Sequence, residues 1–454
     1  MPTEPERPIP VKTPNEASGA VTERIGLKDL FFIRRLPKLD IPRDYKRPEP
    51  EKYRQRLLRS GFITPEDIQR HIQENNLPQT ALERLRADAE FMLSEPVSEI
   101  ADASYIDRLY EFDHDALFYQ NSYYWYNWIF IIGAFLTTIM SVIGVISPRF
   151  DPTGTLGNVA WLITAVCGVT TAVATALNQS RRPQLRWFVN RRKAEAMRRH
   201  YYLFITRAEP YSGDSAARRA KLAEVINQIE NIGSSLNMDE ARKSAVISPE
   251  THPLPVSDRL SDAELEFLTY LYRERRLQAQ TTWYRNRKQE FEYNSNFTLL
   301  VSAVFVSAVG MVGALSAQMT DNFLVQLLPT ALPALAAALA AFNQVYGWDR
   351  QRRMYDDTVA QLRAASSRLA RGEGDERKIN FLETVQACEG VFGSESDQWG
   401  QGLIDQELAS VSAMPSETQF ERLLASSNLP EDKRQEVMAI LNSVSGGNPT
   451  PPSR

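Results

Sequence analysis

The sequence predicts an all-α integral membrane protein in which four transmembrane helices form two tandem helical hairpins with cytoplasmic helical extensions. Four apolar stretches of 19 to 22 residues contain no acidic or basic side chain, and two short loops join them in pairs. At a rise of about 1.5 Å per residue, each stretch can cross the roughly 30 Å hydrocarbon core of a bilayer. The stretches are Trp128–Ile146, Leu156–Leu177, Phe297–Ala317 and Phe323–Phe342.

The segment before the first span changes character near residue 50. Residues 1–50 carry nine prolines and few periodic apolar positions, which favours a disordered region. The single apolar segment of this region contains Phe31 and Phe32. A short docking motif around these two residues is the alternative to a plain linker. From residue 51 the pattern becomes helical, and Thr64 followed by Pro65 is typical of a helix N-terminus.

The spans and the loop prolines set the predicted domain boundaries. A stretch with three prolines after residue 243 marks the boundary between two similar halves. The predicted regions are a disordered segment (1–50), a first unit (51–243) with its membrane hairpin (128–177), a linker (244–260), a second unit (261–400) with its hairpin (297–342), and a C-terminal helical region with a disordered tail (401–454).

The two halves resemble each other in the order of their elements. A shift of 165 residues places Tyr119 on Tyr284 and Asn178 on Asn343. Each half reads as an aromatic helix, a span, a short loop, a second span and a basic helix. This shared order predicts a tandem repeat whose copies enter and leave the membrane on the same side.

The fourth stretch is the weakest of the predicted spans. It is rich in alanine, which is close to neutral for insertion, and Pro329 and Pro333 interrupt it. We therefore expect it to pack inside the helical bundle instead of facing lipid.

Basic residues predict the orientation of the spans. Arg149 is the only basic residue in the two hairpin loops. A basic flank, which we expect to be cytoplasmic, follows the second span and consists of Arg181, Arg182, Arg186, Arg191, Arg192, Lys193, Arg198 and Arg199. Since Lys and Arg accumulate on the cytoplasmic side, we expect both termini there. The flank also fits attraction to anionic lipid; a nucleotide or nucleic-acid site is the less favoured alternative, because no phosphate-cradling glycine loop accompanies it.

Composition argues against an enzyme and against a resident metal or other cofactor. The two cysteines, Cys167 and Cys388, form no CxxC pattern, and the four histidines are far apart. Common phosphate-binding, zinc-protease and serine-hydrolase motifs are absent from the sequence. The net charge of −4, from 52 basic and 56 acidic residues, argues against nucleic acid as a partner.

The spans contain two kinds of residue that point to helix association or to a pore. Small residues at helical spacing predict close packing, either within one hairpin or between chains of a homo-oligomer; they are Gly168, Ala172, Ala176, Ala303, Ser307, Gly310 and Ala314. Hydroxyl side chains either bond to a carbonyl one turn back or line an oligomeric pore; they are Thr137, Ser141, Thr164, Thr171, Thr175 and Ser302. With no acidic or basic residue in the stretches, a charge-coupled transporter is disfavoured.

The order of these features resembles the SLATT superfamily, the two-transmembrane effector domains that associate with SMODS nucleotidyltransferases and SLOG domains, and is similar to DUF4231-type membrane proteins. The resemblance rests on the approach helix and on the basic helix after the first hairpin, at Trp283-Tyr284, Arg192, Ala194-Glu195, Tyr202 and Tyr211, and on Glu395 and Trp399 near the end of the second copy. The second copy departs from the pattern at Tyr355-Asp356, where Ala-Glu is expected.

The resemblance implies a membrane effector that oligomerises and forms a pore, or perturbs the bilayer, in a nucleotide-linked conflict, defence or stress response. Its expected partners are the lipid bilayer, further copies of the chain and a cytoplasmic nucleotide-signalling component. The resemblance defines no catalytic residues. The alternative hypothesis is a non-enzymatic, membrane-anchored interaction scaffold.

Overall fold

The computed structural model describes residues 41–98, 101–232, 255–319, 322–369 and 371–412. The chain divides into two units, residues 1–397 and 398–454, and of the second unit residues 398–412 are described. The docking motif predicted around Phe31 and Phe32, most of the linker predicted at 244–260 and the predicted tail lie outside the described residues.

The described residues are mainly α-helical. In chain order the helices are α1 (Pro50–Arg59), α2 (Pro65–Glu74), α3 (Glu83–Ser94), α4 (Tyr105–Ile146), α5 (Thr155–Arg181), α6 (Pro183–Thr206), α7 (Ser215–Glu230), α8 (Val256–Arg259), α9 (Asp262–Leu271), α10 (Ala279–Gln318), α11 (Phe323–Tyr346), α12 (Trp348–Ala365) and α13 (Gly374–Ser412). A π-helical segment, Tyr272–Gln278, joins α9 to α10 without a break. Strands β1 (Pro96–Ser98) and β2 (Ala101–Ser104) pair in antiparallel register.

Four of these helical stretches are long and apolar enough to cross a membrane, and they contain the four predicted spans, the third except for its last residue. The first two stretches form one hairpin around the loop after Ile146, and the last two form another around the loop after Gln318. The predicted all-α fold with four candidate spans is therefore confirmed.

Helices α1 to α3 and the two strands form an N-terminal module, defined here as residues 50–104. Thr64 begins α2 with a capping box, in which its hydroxyl accepts from the Asp67 amide and the Asp67 carboxylate accepts from the Thr64 amide. This confirms the helix start predicted at Thr64 and Pro65. Phe62 and Ile68 are fully buried, and the Phe62 ring packs against those of Tyr110 of α4 and Tyr201 of α6, so the core of the module is continuous with these helices.

The first hairpin is packed through glycines. A Cβ on Gly144 of α4 would lie 2.7 Å from the Trp161 ring of α5, and one on Gly157 would lie 2.6 Å from Oγ of Ser147. These glycines allow the close approach of α4 and α5. After the hairpin, α6 begins at Pro183 and returns along the part of α4 that precedes the span.

The second hairpin is flanked by helices in a similar order. Ser261 caps α9 through a capping box with Glu264, and the helix then continues through the π-helical segment into α10. Pro329 and Pro333 lie inside α11, which nevertheless continues unbroken to Tyr346. Helix α11 packs against both α10 and α4, while Leu324 stays 65% exposed. The span predicted to be internal thus has neighbours on two sides and an open outer face.

The pairings place the four spans in the order α5, α4, α11, α10. Within the described spans, α5 packs mainly on α4, α10 packs mainly on α11, and α4 contacts α11. Helices α5 and α10 are therefore the outer helices, and each leaves a broad face without a neighbour among the described residues.

Candidate functional site

Aromatic side chains join the two hairpins at the end of the spans that is continuous with the charged helices. Nε1 of Trp128 donates to the hydroxyl of Tyr346 at 3.0 Å, and the Tyr346 ring stacks on that of Tyr124 at 4.7 Å between centroids. The Trp187 ring lies 5.7 Å from that of Tyr124, and the Phe342 ring lies 4.8 Å from that of Trp128. We call these five residues the aromatic junction.

A second contact joins the hairpins at the opposite end of the spans. The ring of Phe150, in the loop after α4, meets that of Phe323 at the start of α11 with 5.5 Å between centroids and nearly perpendicular planes. The hairpins thus touch at both ends, through α4 and α11.

The small residues predicted to mediate packing lie mostly on the outer faces of the outer helices. The exposed members are Ala172, Ala176, Ala303, Ser307, Gly310 and Ala314. Gly168 is half-buried, but a Cβ added to it, or to Gly310, would meet no atom within 4 Å. Packing within one hairpin therefore does not explain these small residues, whereas it does explain Gly144 and Gly157.

The predicted pore-lining hydroxyls fall into two groups. The hydroxyls of Thr164 and Thr175 donate to the carbonyls of Ala160 and Thr171, one turn back, at 2.9 Å each. The side-chain oxygens of Thr137, Thr171 and Ser302 are buried without a hydrogen-bond partner. Thr171 abuts Gly133 of α4, which places it between the helices of the first hairpin. Ser141 is half-buried on α4.

The first part of the predicted basic flank lies where α5 ends. The Arg181 and Arg186 guanidiniums are exposed and donate to the hydroxyls of Tyr126 and Tyr119 at 3.4 and 3.3 Å. Arg182 is also exposed and adopts a left-handed backbone conformation between α5 and α6. These three residues present positive charge next to the apolar span.

The later members of the flank lie deeper in the helical region. Arg191 and Arg198 both contact Oε1 of Glu195 at 2.7 Å, and Nζ of Lys193 donates to the carbonyl of Glu230 at 2.8 Å. Arg192 and Arg199 are half-buried on the same helix, and Arg199 lies against Gly393 of α13. Burial alone would raise the pKa of Glu195, but the charges of Arg191 and Arg198 outweigh it and lower the pKa to about 2.

The π-helical segment is held by a buried ion pair to α13. Nε and Nη2 of Arg276 donate to the two carboxylate oxygens of Glu389 at 2.9 and 2.8 Å, and the Tyr272 hydroxyl donates to the same carboxylate at 3.0 Å. Arg276 is 2% exposed and Glu389 is fully buried. The Arg276 guanidinium also lies 4.1 Å from the centroid of the Phe392 ring.

A second buried network ties the N-terminal module to the rest of the chain. Asp88 of α3 accepts from Arg207 at 3.3 Å and from both terminal nitrogens of Arg218 at 3.1 and 3.0 Å. Arg207 also donates to Glu264 of α9 at 3.0 Å. Asp67 of α2 accepts a bidentate pair from Arg275, in the π-helical segment, at 2.8 and 3.0 Å.

Sequence reasoning did not single out these networks. Their partners are separated by 57 to 208 residues, and helical spacing carries no signal for such pairs. One clue was present in the sequence: Ser261 and Glu264 have the spacing of a capping box, which places a carboxylate at the start of α9.

Within the described residues, no group of three His, Cys, Asp or Glu side chains could hold a metal ion. Cys167 on α5 and Cys388 on α13 are both free thiols. The features of the described residues that we consider as functional sites are the exposed faces of the spans and the ion pairs between the charged helices.

Two helical hairpins with charged helical extensions define a class of multi-pass membrane protein, and the comparisons with known families support this assignment. Residues 112–219 match the family described as protein of unknown function (DUF4231), and residues 272–399 match the family described as SMODS and SLOG-associating 2TM effector domain 1. The predicted similarity to SLATT-type and DUF4231 membrane proteins is thus confirmed, each match containing one hairpin. No curated protein and no solved structure matches the chain.

Proposed function

We propose that this protein is a non-enzymatic membrane effector that assembles from several copies and permeabilises the bilayer when a cytoplasmic cue reaches it. The observation that carries the proposal is the placement of the small residues. The glycines used within the first hairpin are closely covered, whereas Ala303, Ser307, Gly310 and Ala314 are exposed along one face of α10. In lipid, such a face favours close approach of another helix.

The outer position of α5 and α10 supports assembly between chains. Each of these helices packs mainly on one other span, so its free face is available to a second copy. A pore between copies also fits the composition of the spans, which supply hydroxyls and no charged side chain. Such a pore would be weakly selective, because it offers no ring of charge to incoming ions.

We infer that the charged helices and both termini lie in the cytoplasm. Arg181, Arg182 and Arg186 are exposed where the second span ends, at the membrane side where a positive excess is expected. The phosphates of anionic lipid headgroups would be their partners, at about 1 kcal/mol per basic residue near the surface. Modification of single cysteines introduced at position 149 and at position 186 by an impermeant reagent tests this orientation in intact cells.

We also infer that the two hairpin units are a tandem repeat. Helix α5 ends at Arg181 and α11 at Tyr346, while α6 begins at Pro183 and α12 at Trp348. Both offsets equal the 165-residue shift found in the sequence. The name of the family that matches residues 272–399 further supports a link to SMODS and SLOG systems, so the proposed cue is a nucleotide-linked signal.

Release of a dye from liposomes tests the proposed permeabilisation. The full chain is reconstituted at increasing protein-to-lipid ratio and exposed to cyclic and linear oligonucleotide second messengers. Release that rises more steeply than linearly with protein density is expected for an assembled pore. An absence of release under every condition would contradict the proposal and favour the anchored scaffold.

Replacing Gly310 by Leu tests the assembly face. Added bulk there should lower both dye release and chemical cross-linking between copies, because none of the described residues lies within 4 Å of a Cβ at this position and the space is open to another copy. Val304→Leu is the matched control, since Val304 is 56% exposed on the same helix and is already large. Equal behaviour of the two variants would show that the Gly310 face does not mediate assembly.

A further inference from the structure

The N-terminal module lies outside both family matches, which begin at residue 112 and at residue 272. It nevertheless contacts both matched regions through buried carboxylates. Asp88 binds Arg207 and Arg218, which belong to the first matched region. Asp67 binds Arg275, which belongs to the second. One compact module thus bridges the two hairpin-bearing regions.

The bridging carboxylates are withdrawn from water. Asp67 is 6% and Asp88 2% exposed. Burial alone would raise the pKa of Asp67, but the hydrogen bonds and charge of Arg275 outweigh it, so its pKa is lowered. A buried pair of this kind adds little net stability compared with apolar packing, yet it specifies one arrangement and is costly to break on one side only. Such a contact is suited to a switch.

The positions of the arginines give the module control over elements that lead to the membrane. Arg207 ends α6, the helix that follows the first hairpin. Arg275 lies in the π-helical segment that runs directly into α10, and the adjacent Arg276 anchors the same segment to α13. Mid-helix π segments are frequent at functional sites. If this segment rewinds into an α-helix, the residues of α10 shift by one position along the helix relative to α9. Helix α10 then rotates by roughly 100° about its own axis.

We propose that the N-terminal module is an autoinhibitory clamp. Docked through Asp67 and Asp88, it holds the two hairpin regions in the resting arrangement described here. Its release frees the π-helical segment and lets α10 turn, so that the exposed face with Gly310 meets a neighbouring copy in the arrangement that opens the pore. The inference rests on the proposed permeabilising function and names its control element.

Arg275→Gln in the full chain tests the clamp. It removes the bidentate partner of Asp67 and leaves the membrane faces untouched. Arg273→Gln is the matched control, because Arg273 lies two residues away, is exposed and loses the same charge. Dye release from liposomes without any added ligand is measured together with hydrogen–deuterium exchange of α2 and α3. We expect at least a tenfold rise in basal release and faster exchange in α2 for Arg275→Gln, with neither change in the control.

A second variant covers the case in which Arg275→Gln fails to fold. Arg84 of α3 binds Glu264 at 2.8 Å, and its side chain is 57% exposed, so Arg84→Gln weakens the same docking surface at lower cost to folding. It should raise basal release by a smaller factor. Basal release at the wild-type level, together with faster exchange in the module, would overturn the clamp and leave the module a structural element.

The same experiment separates failure of the clamp from failure of the proposed function. If a nucleotide cue opens the wild-type protein while both variants stay closed without it, the clamp is wrong and permeabilisation stands. If neither the cue nor either variant produces dye release although exchange in α2 rises, the proposed permeabilisation is wrong. The module then has no activity to inhibit, and the clamp proposal is also wrong.

Discussion

The Arg276–Glu389 pair offers a quantitative test of how the charged helices are held together. Glu389→Gln removes one charge with almost no change of shape and leaves Arg276, only 2% exposed, without its main counter-charge. Breaking one side of a buried pair costs about 3–5 kcal/mol. We expect the lower end, about 3 kcal/mol, because the charge of Glu195 also acts on Arg276.

The free energy of unfolding in mixed micelles, obtained by titration with a denaturing detergent and followed by circular dichroism, measures this loss. Glu292→Gln is the matched control, since Glu292 is 48% exposed and lies 3.8 Å from Arg352, so its loss should cost under about 1 kcal/mol. Replacing both Arg276 and Glu389 by Met should recover much of the loss. A Glu389→Gln variant as stable as the Glu292→Gln control would refute the reasoning.

Two further predictions concern helix packing and acid stability. Gly144→Ala should destabilise the detergent-solubilised chain by about 1–2 kcal/mol, because its Cβ would lie 2.7 Å from the Trp161 ring. Gly168→Ala, the control, should be neutral or slightly stabilising. Thermal unfolding of the two variants measures the difference in stability. Burial and the charge of Arg199 lower the pKa of His200 to about 3, so the unfolded chain, with a pKa near 6.5, takes up a proton there that the folded chain does not. Folding stability should therefore fall as the pH drops below about 6.5, and between pH 6.5 and 5 the wild type should lose about 1.6 kcal/mol more than His200→Gln; equal losses would contradict this.

The membrane-spanning part of the fold was predictable because hydrophobic length is a local property of sequence. The first predicted span ends at Ile146, and so does α4. The sequence indicated helical structure before the span, but it did not show that one helix runs unbroken from Tyr105 into the span, because the charged residues there interrupt the apolar pattern without breaking the helix. The effect of the two prolines in the fourth span was also hard to predict from sequence. Pro329 and Pro333 leave α11 unbroken, because neighbouring groups can compensate for the lost backbone hydrogen bonds in a membrane helix.

The candidate site was predictable only in part. Spacing identifies residues that share a helix face, but it does not reveal which face meets the neighbouring helix. It therefore could not separate Gly144, whose added Cβ would meet Trp161 of the same hairpin, from Gly310, whose added Cβ would meet no described residue within 4 Å. It also could not pair Asp67 with Arg275, since the chain folds back over 208 residues to bring them together.

The distribution of charge limits how a signal can reach the membrane. The predicted spans carry no acidic or basic side chain, which disfavours a charge-coupled step at membrane depth. The buried ion pairs lie instead among the helices outside the spans, where they join α3, α9, α13 and the π-helical segment. The exposed small-residue faces differ in this respect, because the association we propose for them would depend on helix position and not on charge. A trigger that loosens a buried pair must therefore act by moving a helix. Helix α10 continues directly from the π-helical segment that contains Arg275 and Arg276. It therefore connects these ion pairs to an exposed small-residue face.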